Sequence, residues 1–137
     1  NPTYERYWGG PNKMYSERLG KRYVETNKFR EIIDSGLTLC GGSDSDVCDY
    51  NPFVGIHSAV NHPVKKHRIS LYEAIKMYTI NGAYAIFEEN NKGSLEIGKL
   101  ADIIVLDRDI FEIDTESIDE VKVLCTIKSG KILYNTI

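Results

Sequence analysis

Apolar positions along this chain follow two rhythms, one of three- and four-residue steps and one of short runs or alternation. Between residues 14 and 35, Leu19, Tyr23, Thr26, Phe29 and Ile33 recur at helical spacing, with Glu17 and Lys21 placed to pair on the other face. That period predicts one helix, closed by Gly36. Leu37, Thr38, Leu39 and Cys40 follow without polar alternation, the pattern of a short buried strand. Residues 52–61 predict a second helix with Pro52 in its first turn, an apolar stripe of Phe53, Ile56 and Val60, and His57 beside that stripe. Ser70 and Glu73 form a capping box ahead of Leu71, Ala74, Ile75 and Tyr78, which predicts a helix to about residue 79. Asn81-Gly82 interrupts it, and residues 83–87 continue as a short helix.

The rhythm changes after Glu88-Glu89-Asn90-Asn91. Residues 103–106 read as a strand, 107–119 as an acidic, turn-rich stretch, and residues 121–134 as a β-hairpin turning at Ser129-Gly130. Residues 1–11 mix Pro2, Gly9, Gly10 and Pro11 with Tyr4, Tyr7 and Trp8, which predicts an aromatic-rich loop that packs over a core edge or lines a pocket. Residues 62–68 read as a solvated basic connector. The order predicts an α/β protein, with a helix-and-strand part over residues 1–88 and a β-rich part over residues 89–137.

The 137 residues suffice for one domain with a core. A net charge of -3, from 17 Lys+Arg against 20 Asp+Glu, and the lack of a basic patch argue against a nucleic-acid partner. No apolar run has the length of a membrane span, and no signal peptide is visible. Cys40, Cys48 and Cys125 are odd in number and form no CxxC pair, which fits reduced thiols in a cytoplasmic chain. The chain starts at Asn1 without an initiator Met, so the expectation is a piece of something longer.

Chemistry concentrates at residues 37–47, Leu-Thr-Leu-Cys-Gly-Gly-Ser-Asp-Ser-Asp-Val. Gly41 and Gly42 let the backbone turn and approach other groups, so Asp44 is delivered at the C-terminal end of the predicted strand, where α/β proteins build sites. A carboxylate there can coordinate a metal or take a proton; alternatively Ser43 or Asp44 caps the next turn. His57, His62 and His67 lie five apart, not at the i, i+4 spacing of two ligands on one helical face. His57 is the one better placed for a ligand contact near the site. Residues 93–99 match GxxxxGK, but Leu100 stands where a phosphate loop needs Ser or Thr, and a strand follows where a helix should. They read as a turn into a strand.

Several segments in order resemble the amidohydrolase superfamily, in its amidohydrolase-3 branch of N-acyl amino acid amidohydrolase-like enzymes. They are Asn1-Pro2-Thr3-Tyr4, Arg18-Leu19-Gly20-Lys21-Arg22, Ser35-Gly36-Leu37 with Gly42-Ser43-Asp44, the looser match Asn51-Pro52-Phe53-Val54-Gly55-Ile56-His57-Ser58-Ala59-Val60, Ser70-Leu71-Tyr72-Glu73-Ala74 and Thr79-Ile80-Asn81-Gly82-Ala83. The most specific is Lys92-Gly93-Ser94-Leu95-Glu96-Ile97-Gly98-Lys99-Leu100-Ala101-Asp102, followed by a strand and the late Lys128-Ser129-Gly130-Lys131 turn. The resemblance implies the C-terminal end of a metal-dependent (β/α)₈ barrel over residues 1–88, then strands of a small β-sandwich over 89–137.

It further implies a divalent metal, typically zinc, and a small-molecule amide or cyclic amide substrate cleaved at a C–N bond. Asp44 becomes both the catalytic carboxylate and a metal-approaching residue, with the remaining ligands outside this chain. Ser45-Asp46 replaces the small-residue–Pro pair common after the family's site Asp; Asp46 either reaches the site or caps a turn. Deamination in the same superfamily and a non-catalytic binding or regulatory module are the alternatives. An isolated fragment of such a barrel would self-associate or pack with the missing N-terminal part.

Overall fold

The computed structural model describes residues 1–137. Six short helices come first: α1 (Thr3–Trp8), α2 (Met14–Leu19), α3 (Phe29–Asp34), α4 (Pro52–Val60), α5 (Leu71–Tyr78) and α6 (Ile80–Ala85). Three strands follow, β1 (Ile103–Leu106), β2 (Val123–Lys128) and β3 (Lys131–Asn135). No helix is long and apolar enough to cross a membrane. The mixed α/β content predicted from the two rhythms is present.

Helix α4 is the centre. The Asn51 side chain accepts the Phe53 N–H at 3.0 Å and Pro52 fills the first turn, so the helix starts where its sequence says it should. Every residue from Phe53 to Val60 is buried, and α4 packs on α1, α5 and a 3₁₀ turn at Thr115–Glu120. Phe53, Ile56, Ala59 and Val60 share one core with Phe29, Ile69, Ala74 and Met77, and with Ile110, Ile118 and Val121 from the later part of the chain. The predicted capping box starts α5: Ser70 Oγ accepts the Glu73 N–H at 3.2 Å and Glu73 returns the bond to the Ser70 N–H at 2.8 Å.

The strands form one antiparallel sheet in the order β1-β2-β3. The β2–β3 turn places Ser129 (φ 50°) and Gly130 (φ 77°) in left-handed backbone, as a two-residue turn that matches strand twist requires. Cys125 is the only buried residue in the three strands, and β3 is exposed throughout.

Five local expectations give way. Residues 14–35 do not form one helix: α2 ends at Leu19, a 3₁₀ turn spans Gly20–Glu25, and α3 begins only at Phe29. The break has a tertiary cause. The buried Glu5 carboxylate accepts from Thr26 Oγ1 (3.1 Å) and Asn27 Nδ2 (2.5 Å), and Asn27 sits at φ 44°, outside helical backbone.

Residues 37–40 are extended but pair with no strand. Instead Asn81 Nδ2 donates to the Leu39 carbonyl (2.8 Å), Cys40 Sγ to the Asn81 carbonyl (3.0 Å), and the Gly41 N–H to the Met77 carbonyl (3.0 Å). A strand needs a neighbour, and these 137 residues place none beside it.

The predicted N-terminal loop contains α1, started by Pro2, whose fixed φ suits a helix entrance. Helix α6 begins at Ile80 and includes Asn81-Gly82, which were expected to interrupt. The basic connector is only half solvated: Lys65, Lys66 and Arg68 are exposed, whereas His62 and His67 are completely buried, their rings edge to face at 5.4 Å.

Candidate active site around Asp44

The segment leading to Asp44 is held from behind by α5. Tyr78 inserts its ring against the backbone of Gly41 and its hydroxyl against Gly55 of α4. A Cβ at residue 41 would lie 2.6 Å from that ring, and one at residue 55 would lie 1.8 Å from the hydroxyl oxygen. Both positions are glycine because the ring occupies the space a side chain would need. Burial pushes the Tyr78 hydroxyl up to about 12, and neither it nor the nearby Thr3 Oγ1 has a hydrogen-bond partner.

Past the glycines the chain turns into solvent. Asp44 is exposed and left-handed (φ 53°), a conformation that Asp tolerates better than most residues. Its carbonyl closes a tight turn by accepting the Val47 N–H at 2.7 Å. The side chain caps nothing. Its Oδ2 accepts a hydrogen bond from the Tyr4 hydroxyl of α1, and Oδ1 has no protein partner. That bond to Asp44, ahead of partial burial, raises Tyr4 above the ordinary phenol range and keeps it a donor. The Tyr4 ring lies 4.6 Å from Trp8, which is 6.4 Å from both Tyr7 and Tyr15. The Asp46 side chain takes only a local hydrogen bond, from Ser45 Oγ at 3.3 Å.

His57 is not brought to Asp44. Residues two apart on a helix project about 200° apart, so Tyr4 and Arg6 leave opposite sides of α1, and His57 belongs to the Arg6 side. Arg6 Nη1 donates to His57 Nδ1 at 3.0 Å, His57 Nε2 lies 3.5 Å from Glu116 Oε2, and Arg6 also pairs with Asp119. Arg6, His57 and Glu116 line a polar cleft of about 320 Å³ with Glu5, Lys13, Ser58 and Asn61. A second, more apolar cavity of about 490 Å³ lies between α5–α6 and β1, lined by Tyr78, Ala83, Ile86, Leu95 and Ile103 among others. Asp44 lines neither.

The other histidines are structural. The Val64 N–H donates to His62 Nδ1 at 3.0 Å, which directs the His62 Nε2 edge towards Glu5 Oε2, 3.6 Å away. Burial, with His67 adding to it, lowers His62 to about 4, so it is neutral near pH 7. His67 Nε2 donates to the Val24 carbonyl at 2.9 Å. The thiols are all free, and burial raises Cys48, with the Asp44 charge adding to it.

No three His, Cys, Asp or Glu side chains of the chain are grouped to hold a metal ion. A catalytic zinc centre takes about three protein ligands, and Asp44, with a tyrosine as its sole side-chain partner, offers one carboxylate. The residues present therefore do not by themselves fit the metal that the resemblance implies. Sequence reasoning singled out Asp44 and the two glycines before it as candidates, placed Tyr4 in an aromatic segment without tying it to Asp44, and read Tyr78 only as a helix-face residue. The available signal for Tyr78 was the pairing of glycines with a nearby aromatic; for Tyr4 it was only the aromatic content of residues 1–11.

The chain is a mixed α/β protein with an acidic turn that follows two glycines, and comparison with known proteins narrows this description. Residues 7–134 match the model of the amidohydrolase family, and the chain belongs to that family. It is 33% identical over 129 residues to a putative amidohydrolase, YtcJ, of Bacillus subtilis, covering 86% of this chain and 24% of that protein. It is 30% identical over 141 residues to an N-substituted formamide deformylase of Arthrobacter pascens, covering 98% of this chain and 26% of that protein. The chain thus spans about a quarter of the length of these relatives. The crystal structure of an uncharacterized protein shares its fold with a TM-score of 0.59 at 18% identity, over 88% of this chain and 28% of the other. The resemblance read from the ordered sequence segments is correct at the level of the family.

Proposed function

We propose that this chain is the C-terminal part of a hydrolase that cleaves a C–N bond in a small amide or cyclic amide, with Asp44 as its site carboxylate. Residues 1–88 are then the end of a (β/α)₈ barrel and residues 89–137 belong to an appended β-sandwich. A division near residue 88 is supported by all six α-helices preceding it and all three strands following it, and the hydrolase reading by relatives named as an amidohydrolase and a formamide deformylase. The observation that carries the reading is the exposed Asp44 carboxylate at the end of the glycine turn, with Oδ2 held and Oδ1 unengaged.

The ionised carboxylate accepts a proton from the attacking water as its oxygen bonds to the amide carbon. It returns that proton to the nitrogen as the C–N bond breaks. The divalent ion of the family, zinc by the resemblance, finds no ligand set among these residues, so the chemistry ascribed to this chain is that of the carboxylate alone.

The test is Asp44→Asn in the full-length protein, with hydrolysis of simple N-acyl and N-formyl amines as the assay. Loss of a general base is expected to lower kcat by roughly 10²–10⁴-fold. Turnover close to that of the unaltered protein would remove Asp44 from the chemistry. The intact mass of the native polypeptide tests the premise: a mass several times the 15.6 kDa of this chain is expected, and one equal to it would favour a non-catalytic module.

A further inference from the structure

We infer that Tyr4 is a positioning residue that holds one oxygen of Asp44 and so fixes the direction in which the other is presented. The inference rests on the proposed role of Asp44 as the site carboxylate. An exposed aspartate on a glycine-rich turn is free to change rotamer, and a general base that wanders loses the alignment on which proton transfer depends. Here the carboxylate is tied across forty positions of sequence by the hydroxyl of Tyr4, a bond to a charged acceptor and so stronger than a neutral one.

Both ends of the tie are anchored. On the donor side, α1 is pinned by buried Thr3 and by Glu5, which accepts from Thr26 and Asn27, and the Tyr4 ring is braced by Trp8 at 4.6 Å. On the acceptor side, the segment before Asp44 is clamped by the Tyr78 ring at Gly41 and by the Gly41 N–H bond to the Met77 carbonyl. The turn between the anchors is thus held at its base by α5 and at its tip by α1. The Asp44 backbone carbonyl, not its side chain, closes the turn, so the Tyr4 bond serves the carboxylate's direction and not the turn's closure.

The rival is a clip that merely steadies the fold, and two measurements separate them. The first is a pH titration by NMR of the chain labelled with carbon-13 at tyrosine Cζ, which follows each of the nine tyrosines. Asp44→Asn is expected to move one tyrosine to a lower titration point, and that resonance is expected to be missing in Tyr4→Phe. If Asp44→Asn moves no tyrosine, the contact is absent and the inference falls.

The second is steady-state kinetics of Tyr4→Phe in the full-length protein, which keeps the ring on Trp8 and deletes only the hydroxyl. The expectation is a fall in kcat of about tenfold with KM and the unfolding midpoint unchanged, the pattern of an interaction that matters to the chemical step. A lowered midpoint with unchanged kcat per folded molecule would mean a clip and would overturn the inference. Failure of the base role itself reads out elsewhere: Asp44→Asn with full turnover, while the titration link persists, removes the function that Tyr4 would serve.

Discussion

Helix α4 and strand β3 are both largely apolar in sequence, yet the helix is buried from Phe53 to Val60 and the strand is exposed along its whole length. The helix meets α1, α5 and the Thr115–Glu120 turn, so each of its sides has a neighbour in the chain. The sheet is covered only in part: Leu106 and Val123 pack against the α4 core and Cys125 is buried, whereas Ile104, Ile132 and Leu133 are half or more exposed. Apolar sequence creates a demand for burial, but only a partner meets it. A two-layer arrangement is complete around α4 and half built around β1–β3.

Three experiments bear on that contrast. The largest effect is expected in the helical part: Met77→Ala, at a side chain 1% exposed within the α4 core, should destabilise by about 2–5 kcal/mol in chemical denaturation. A smaller loss would mean that this core is as loosely made as the sheet.

Next comes acid. Above pH 6.5 His62 is neutral folded or unfolded; below it the unfolded chain binds the proton, while the folded chain resists until about pH 4. Stability should therefore fall by about 3 kcal/mol between pH 6.5 and 4 from this group alone. Replacing His62 with Gln should flatten that slope in unfolding curves recorded across the range. Its neighbours Glu5, His67 and Arg68 stay in place and provide the control.

The smallest effect on stability is expected in the sheet. Ile132→Lys on exposed β3 should change unfolding by no more than about 0.5 kcal/mol, while lowering the self-association measured by light scattering. A large loss of stability there would show that the sheet face is already covered.

The same contrast explains how far the sequence can be read. The Asn51-Pro52 helix start, the Ser70/Glu73 capping box and the Ser129-Gly130 turn are decided within four residues, and each appears where the residues predict it. The break between α2 and α3 was invisible, because it depends on Glu5, a buried carboxylate more than twenty positions upstream that draws Thr26 and Asn27 out of helical pairing. His62 and His67 read as solvated because their flanking lysines and arginine do face water, and only the fold turns the imidazoles inward. At the candidate site, Asp44 was legible from the two glycines before it, whereas its tie to Tyr4 joins positions that no local pattern links.

The Tyr78 ring carries one more consequence, and it is evolutionary. Gly41 and Gly55 lie in different elements and do not resemble a pair, yet an added methyl at either meets the same tyrosine. Neither glycine is free to drift while that ring stays. A smaller residue at 78 would release both at once, so the three positions should mutate as a linked set, with an aromatic at one allowing only the smallest residue at the other two.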